Sequence, residues 1–257
     1  MEMDALQKQL KGIGLACLLL CVAPGAAAQT VTVRRVSMDT TLYASGAAAG
    51  VKELVDTYSP QMRQKMSAVV AYTVEEMDRN QPESPLSNLA ADALLAIARR
   101  HYGMDRVDFS LTNFGGIRAD LPKGDITLYD VYSVFPFDNS LVLVDLPGTQ
   151  VKELFTAFAK GRPEALAGVT FAIDNHTIAS LTIDGKPLDE NRVYHLATID
   201  FLLDGGDKMT ALKQNSGVDY SGITLRDVVL EYMKTFYEHS EPLPSRRDGR
   251  VTVNNPQ

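Results

Sequence analysis

The sequence predicts one α+β domain, and three observations lead to this class. Helix-type and strand-type apolar periodicities are mixed along the chain, without the regular alternation that builds a parallel sheet. Of the 257 residues, 45% are hydrophobic and 22% are charged, as in an ordinary globular protein with a sizeable core. No internal repeat and no low-complexity linker divides the sequence. The length therefore fits a single mixed α/β domain.

The net charge of −7 excludes binding to nucleic acid through bulk electrostatics, because an acidic chain does not attract a polyanion. Phosphate groups on a small molecule would have to be bound by a few well-placed arginines instead. We therefore expect no nucleic-acid partner.

Residues 1–28 are predicted to be a cleaved secretory signal peptide. Lys8 and Lys11 precede an apolar run from Ile13 to Ala23, and small residues follow it up to Gln29. A basic start, a short apolar run and an Ala-x-Ala site are typical of such signals, and the run is too short to span a bilayer. We expect cleavage before Gln29 and export to the periplasm or the medium, with no membrane span.

Two alternatives for this first segment remain open. It could be a buried N-terminal helix, although the small residues after the apolar run argue against one. It could also be a lipoprotein signal, although Leu20 before Cys21 is bulkier than the residue that usually precedes a lipid-attachment site. Cleavage before Gln29 would remove both Cys17 and Cys21, so the mature chain would have no disulfide and no thiolate metal site.

The next elements are predicted from periodicity and turn residues. Residues 29–49 form an N-terminal lead-in that begins as an extended segment or edge strand. A helix opens at Ser45 and ends at Ser59-Pro60, and a strand follows within residues 66–74. The polar residues 78–82 form a loop.

The clearest helix begins after Ser84, which is placed to cap it, with Pro85 in its first turn. Arg99 and Arg100 complement the helix dipole in its last turn. Its core face is predicted from apolar residues at helical spacing, namely Leu86, Leu89, Ala90, Ala93, Leu94 and Ile97.

The rest of the chain is predicted to contain five strands and two helices. The strands run from Val107 to Thr112, Leu141 to Leu146, Val169 to Ile173, Ala179 to Ile183 and Val193 to Leu203. One helix begins at Pro147-Gly148 and carries Val151, Leu154, Phe155 and Phe158. The other is capped by Thr224 and buries Val228, Val229, Tyr232, Met233 and Phe236.

A glycine-rich loop from Asn113 to Arg118 follows the first of these strands. Gly115 and Gly116 allow a ligand to approach the backbone closely. Arg118 offers a planar fork of donors that matches a phosphate group. By itself, the segment could equally be a Gly-Gly turn with a solvated arginine.

Two further loops carry aromatic and acidic residues. Phe135 and Phe137 flank a proline, and we expect Phe135 in the core and Phe137 free to stack on a planar base. Asp207 follows a Gly-Gly turn close to Phe201, and its carboxylate could accept hydrogen bonds from two sugar hydroxyls. Taken singly, these segments could also be core packing and an acidic turn.

Together, four ordered segments resemble the C-terminal domain of the 5′-nucleotidase family, which includes periplasmic UDP-sugar hydrolases and surface ecto-5′-nucleotidases. The family pattern is Glu-Ser-Pro-Leu-Gly-Asn-Leu, Asn-Gly-Gly-Gly-Ile-Arg, Pro-Phe-Gly-Asn and Asp-Phe-x-x-x-Gly-Gly-Asp. This chain is similar at residues 83–89, 113–118, 136–139 and 200–207. The resemblance implies a substrate-binding domain of this family's C-terminal type over residues 50–252, with 253–257 as a tail.

The resemblance also implies a pocket for a nucleotide or nucleoside. In the family, two phenylalanines sandwich the nucleobase, a carboxylate holds the ribose, and an arginine of the glycine-rich loop meets the phosphate. These roles fall here on Phe137 and Phe201, on Asp207 and on Arg118, and Asn139 matches a base-edge contact of some members. The full set of implied binding residues is Asn113, Gly115, Gly116, Arg118, Phe137, Asn139, Phe201 and Asp207.

The sequence departs from the family pattern in three places. Phe114 replaces the first loop glycine, which would tighten the pocket, and Ser87 replaces a glycine at a helix start. A second phosphate arginine of the family aligns with Asn80, one residue beyond Arg79. Unless that loop shifts by one residue, phosphate binding would be weaker than in the family.

The family's chemistry belongs to a separate N-terminal metallophosphoesterase domain that binds two metals through Asp-x-His, Gly-Asn-His-Glu and further histidines. Here His101, His176, His195 and His239 lie in no such motif, and only about fifty residues precede the matched region. We therefore expect this chain to bind no metal or other cofactor and to be inactive alone. Two divalent metals would sit on a separate metallophosphoesterase chain, and the pair would act as a hydrolase in nucleotide catabolism.

Two alternative functions remain open. The chain could be a stand-alone periplasmic nucleotide-binding or nucleoside-binding protein without catalysis. It could also be a structural relic whose pocket no longer binds a ligand.

Overall fold

The computed structural model describes residues 46–254 of the chain. The predicted signal peptide, its cleavage site and the lead-in up to residue 45 lie outside the described residues. The chain divides into two compact units, Met1–Val55 and Asp56–Gln257. The first unit is described only by residues 46–55, which begin a helix, and all of the described strands belong to the second unit.

The described residues form six helices and eleven strands. The helices are α1 Gly46–Met66, α2 Pro85–Tyr102, α3 Leu128–Val134, α4 Gly148–Lys160, α5 Asp200–Leu203 and α6 Leu225–Tyr237. The strands are β1 Val69–Thr73, β2 Phe109–Thr112, β3 Gly124–Thr127, β4 Ser140–Pro147, β5 Ala165–Ala167, β6 Val169–Asp174, β7 Thr177–Ile183, β8 Lys186–Pro187, β9 Val193–Ile199, β10 Gly217–Thr224 and β11 Val251–Asn254.

The strands form three sheets, and the largest lies at the centre of the second unit. Its five strands have the order β10-β4-β9-β2-β5, and every pair is antiparallel except β2 with β9. A four-stranded sheet has the order β11-β6-β7-β8, with β11 parallel to β6, and β1 pairs with β3. This mixture of parallel and antiparallel strands with helices confirms the predicted α+β class.

The order of the central strands determines where the site loops lie. Because β2 and β9 are parallel neighbours, the loops that follow Thr112 and Ile199 leave the sheet at the same edge. Strand β4 is antiparallel to β9 with Leu141 opposite Ile199, so the segment before Ser140 reaches that edge as well. Three loops from distant parts of the sequence therefore meet at one edge of the central sheet.

Helix α2 packs against β2, β5 and α6, and its start is fixed by two serines. As predicted, the Ser84 side chain caps the helix and accepts a hydrogen bond from the Ser87 amide at 3.1 Å. The Ser87 hydroxyl in turn accepts one from the Ser84 amide at 2.9 Å. The departure from glycine at residue 87 thus completes a capping box, which satisfies two amides at the helix start.

Two predicted boundaries were wrong. Helix α1 does not end at Ser59-Pro60 but continues to Met66, because a proline removes one backbone donor without preventing the next turns from forming. The strand predicted from Val193 to Leu203 ends at Ile199, and Asp200–Leu203 is a helical turn. The Asp200 carboxylate accepts hydrogen bonds from the backbone amides of Ser140 and Phe201, and these bonds turn the chain away from the sheet.

Candidate functional site

The glycine-rich loop leaves β2 and forms one 3₁₀ turn, Phe114–Gly116. Its two glycines are explained by crowding from side chains. A Cβ atom on Gly115 would lie 3.2 Å from Asp207 Oδ2, and one on Gly116 would lie 2.8 Å from Asn113 Oδ1. The backbone at Gly116 therefore lies closer to Asn113 than a residue with a side chain would allow, and a side chain at Gly115 would crowd Asp207.

Asn113 and Asp207 are joined directly. The Asn113 side-chain amide donates to Asp207 Oδ2, which links the loop after β2 to the loop after β9. Asn113 is buried, and its side-chain oxygen Oδ1 has no hydrogen-bond partner among the described residues. Asp207 is exposed. Asp207 has left-handed backbone angles, φ 49° and ψ 32°, a strained conformation that turns its carboxylate toward the glycine-rich loop.

Phe201 lies against the same turn. A Cβ atom on Gly206 would lie 2.5 Å from the Phe201 carbonyl oxygen and 2.7 Å from its ring atom Cε1. Only glycine therefore fits where the chain folds back over the ring, and this fold brings Asp207 close to Phe201.

The segments that carry Phe137 and Phe201 are held together by Asp200. Its Oδ1 accepts hydrogen bonds from the Ser140 amide at 3.0 Å and from the Phe201 amide at 2.8 Å. Phe137 and Phe201 are each 48% exposed, whereas Phe135 is 1% exposed and lies in the core, as the sequence predicted. Two half-exposed aromatic rings therefore stand at the same edge of the sheet.

Two arginines flank the glycine-rich loop. Arg118 is exposed, and its guanidinium donates to the Gly115 carbonyl at 3.2 Å. Arg79 donates to the Ile117 carbonyl at 2.9 Å and lies 3.6 Å from Asp120. In the sequence, Arg79 stands one residue before the position of the second family arginine. In the structure, its loop brings it into contact with the glycine-rich loop.

Glu164 is a site residue that the sequence did not reveal. Its Oε2 accepts a hydrogen bond from the Phe114 amide at 2.6 Å. Burial raises the pKa of the Glu164 carboxyl to about 7; the Phe114 amide lowers it and the nearby charge of Asp207 raises it. Nothing in the local sequence indicates this role, because Glu164 lies 50 positions after the loop that it contacts.

A cavity of about 860 Å³ opens beside Gly115 and Asp207. Its polar wall combines basic and acidic side chains, Arg79, Arg162 and Lys208 with Glu153, Glu164 and Asp207. An apolar wall comes from α4 and from the turn after β9. Of the eight predicted binding residues, Gly115 and Asp207 line the cavity, and the other six lie outside its wall.

Asn139 lies between Phe137 and β4 and is half-buried. The backbone carbonyl oxygen of Asn139 accepts a hydrogen bond from the Leu225 amide at 2.8 Å, which connects this segment to the start of α6. The sequence reasoning placed all eight residues in three loops, and the structure brings these loops to one edge of the central sheet.

The described residues offer no group of three or more histidine, cysteine, aspartate or glutamate side chains that could hold a metal ion. His195 on β9 pairs with Asp145 on β4, with Nδ1 and Oδ1 2.7 Å apart, away from the site loops. The two metals that the resemblance implies therefore find no ligand set within residues 46–254. Over the same residues, no helix has the length and apolar character needed to cross a membrane.

Comparison with known proteins agrees with these features. A family profile described as the 5′-nucleotidase, C-terminal domain matches residues 66–214, more than half of the chain. Protein UshA of Yersinia enterocolitica is 32% identical over 164 residues, which cover 62% of this chain and 29% of that protein. A 5′-nucleotidase of Vibrio cholerae is 25% identical over 189 residues, which cover 71% of this chain and 34% of that protein.

Among solved structures, the 5′-nucleotidase precursor from Thermus thermophilus has a TM-score of 0.68 at 27% identity. The match covers 82% of this chain and 44% of that structure. The chain spans only about a third or less of the length of the two curated relatives. The chain therefore belongs to the 5′-nucleotidase family and contains the C-terminal domain of that family.

Proposed function

We propose that this chain binds a nucleotide for a 5′-nucleotidase-type phosphatase, with the base between Phe137 and Phe201. The observation that carries the proposal is the double hydrogen bond of Asp200, which ties both phenylalanine segments together while each ring stays 48% exposed. Aromatic rings that serve only the core are buried, as Phe135 is. Exposed rings fixed at one edge can instead stack on a planar base.

The ribose would bind at Asp207. A carboxylate has about four lone-pair positions, and Asn113 uses one of them, so Asp207 retains acceptors for two sugar hydroxyls. The left-handed turn and the Asn113 contact fix the carboxylate before any ligand arrives, which reduces the entropy lost on binding.

The phosphate would meet Arg118, with Arg79 as a second cation on the other side of the glycine-rich loop. Each guanidinium already spends one donor on a loop carbonyl and retains others for a phosphate oxygen. The sequence had suggested weak phosphate binding because Asn80 stands at the second arginine position. The contact of Arg79 with the loop favours two phosphate-binding arginines.

Hydrolysis would take place on a separate exported metallophosphoesterase chain that supplies two divalent metals. Residues 46–254 offer no group of three or more metal-ligand side chains, which supports placing the metals outside these residues. The chain's own residues would bind and orient the nucleotide. The proposed export from residues 1–28 can be checked by sequencing the mature N-terminus, which should begin at Gln29 and carry no lipid.

Calorimetry with the mature chain tests the proposed pocket. Phe137→Ala and Phe201→Ala should each weaken adenosine or uridine binding by roughly 1–3 kcal/mol through loss of stacking. Asp207→Ala should weaken nucleosides and nucleotides alike, whereas Arg118→Ala should weaken nucleotides more than nucleosides.

Tyr237→Ala provides a matched control, because Tyr237 is similarly exposed (45%) but ends α6, far from the start of that helix. This variant should bind like the parent. Unchanged nucleoside binding by both phenylalanine variants would rule out the base slot.

A further inference from the structure

The segment that carries Phe137 is anchored from its far side by the first turn of α6. Arg226, the second residue of that helix, is only 9% exposed. One guanidinium nitrogen donates to the Phe135 carbonyl at 3.0 Å, and another donates to the Asp138 carboxylate. The guanidinium also lies 4.1 Å from the centre of the Tyr132 ring.

All of these contacts are made with residues close to Phe137 in the sequence. Phe135 and Asp138 bracket Phe137 in the sequence, and Tyr132 lies in the helix that leads into the segment. The neighbouring Leu225 amide donates to the Asn139 carbonyl at 2.8 Å, just after Phe137. A nearly buried arginine is thus committed to the few residues on either side of one exposed ring.

Asp138 contributes little to the core, because 78% of its side chain is exposed. The family pattern given above has glycine at this position. Relative to that pattern, the aspartate adds an ion pair with Arg226 next to Phe137.

We propose that Arg226, through Asp138 and the Phe135 carbonyl, is a positioning residue that holds Phe137 at the spacing from Phe201 that a nucleobase requires. The inference rests on the proposed nucleotide pocket. A ring held in place before binding loses less conformational entropy when a base stacks on it, so the contact strengthens base binding without touching the ligand.

The test compares a ligand that has a base with one that lacks it. In Asp138→Ala, which removes an exposed side chain and leaves the core intact, adenosine affinity should fall roughly three- to tenfold. The affinity for ribose 5-phosphate should not change. Arg226→Lys, which keeps the charge but cannot bridge both acceptors, should behave in the same way.

A double-mutant cycle asks whether the effect passes through the ring. If Asp138 acts by positioning Phe137, adding Asp138→Ala to Phe137→Ala should cause no further loss of adenosine affinity. A further loss in the double variant, or an equal loss of adenosine and ribose 5-phosphate affinity in the single one, would overturn the inference.

The chain offers a matched control. Arg192 pairs with Asp108 and lies 4.7 Å from the ring of Tyr194, the same kinds of contact that Arg226 makes. Arg192 precedes the start of β9, whereas Phe201 follows its end, about 23 Å away along the seven-residue strand. Arg192→Lys should bind both ligands like the parent.

A second measurement separates failure of this inference from failure of the proposed function. If the parent binds no nucleoside, the proposed function fails, and amide hydrogen exchange decides the positioning role by itself. Arg226→Lys should speed exchange in residues 137–140 and leave residues 109–113 unchanged. Unchanged exchange in both segments would refute positioning even if the parent binds adenosine well.

Discussion

Glu164, which contacts the glycine-rich loop, makes the stability of the fold depend on pH. Its ordinary pKa is 4.5 and burial raises it to about 7, so the folded protein retains the Glu164 proton where the unfolded chain has released it. The contribution of Glu164 to the stability of the fold is therefore largest below pH 4.5 and is lost as the pH rises through 7. Above that pH, the fold must hold a charged carboxylate close to Asp207.

The variant Glu164→Gln should remove this dependence, because an amide has no proton to lose in this range. Relative to the parent, E164Q should gain stability between pH 5 and pH 8, by at most on the order of 3 kcal/mol. Urea unfolding of both proteins at the two pH values measures the difference.

Glu153→Gln is the control, because Glu153 lines the same cavity but is exposed. Its stability relative to the parent should be the same at pH 5 and pH 8. A parent-to-E164Q difference that does not vary with pH would contradict the raised pKa.

The eight binding residues could be predicted because each belongs to a short ordered motif. Glu164 was missed because its role depends on a contact with the Phe114 amide 50 residues away. The relation of Arg79 to the loop was missed for a similar reason, since it depends on the path of residues 78–82. Local motifs predict candidate binding residues and miss the residues that contact them from elsewhere in the fold.

At the scale of the elements, α2 was predicted almost to the residue because Ser84, Pro85 and an apolar face all point to one helix. Helix α3 was missed because its seven residues are too few to show a period, although Thr127 and Asp130 form a capping box at its start. Strand β10 was missed because Gly217, Asp219 and Ser221 resemble a loop. The β9 boundary was wrong because Ile199 to Leu203 has the apolar composition of a strand.

The capping box of α2 gives a prediction at this scale. Ser87→Ala removes the acceptor for the Ser84 amide in a fully buried turn and should destabilise the protein by about 1 kcal/mol. Thermal unfolding measures the change, which corresponds to roughly 2–4 °C for a domain of this size.

Ser133→Ala is the control, because the Ser133 hydroxyl bonds only the Tyr129 carbonyl one helical turn earlier, at a partly exposed position. It should change the melting temperature much less. Equal shifts in the two variants would show that the Ser87 hydroxyl is not needed as a cap.

For the whole molecule, Arg250 joins the C-terminal strand to the body of the fold. Its side chain is 10% exposed and pairs with Asp92 on α2 and with Asp248, and it donates to the Leu166 carbonyl at 3.0 Å. These carboxylates hold the pKa of Arg250 above its usual range despite burial. One side chain thus connects β11, α2 and β5.

Replacing this arginine should be severe. Arg250→Gln leaves the partly buried Asp92 without its counter-ion and should lower the free energy of unfolding by about 3 kcal/mol. Arg247→Gln breaks a more exposed pair with Asp78 and should cost less than about 1 kcal/mol. Chemical denaturation compares the two variants. Similar losses in the free energy of unfolding would show that the buried ion pairs of Arg250 stabilise the fold no more than an exposed pair does.

The proposed division of labour between two chains gives a prediction for the whole molecule. If the two metals are bound by a separate chain, as proposed, purified mature chain should release no phosphate from AMP with Mn²⁺, Zn²⁺ or Co²⁺ added. Phosphate release should appear when an exported two-metal phosphoesterase of the same cell is added. Robust turnover by the chain alone, proven free of other phosphatases, would contradict the proposed division.

The C-terminal strand, which Arg250 joins to the body of the fold, is also held by Glu83, and these contacts affect how fast the domain folds. The Glu83 carboxylate, just before α2, accepts amides of Asp248 and Val251, which lie 165 and 168 residues further along the chain. Strand β11 likewise pairs with β6 across 80 residues, with Val251 opposite Phe171. Contacts between residues so far apart in the sequence slow folding, because the entropy of closing a long loop opposes them.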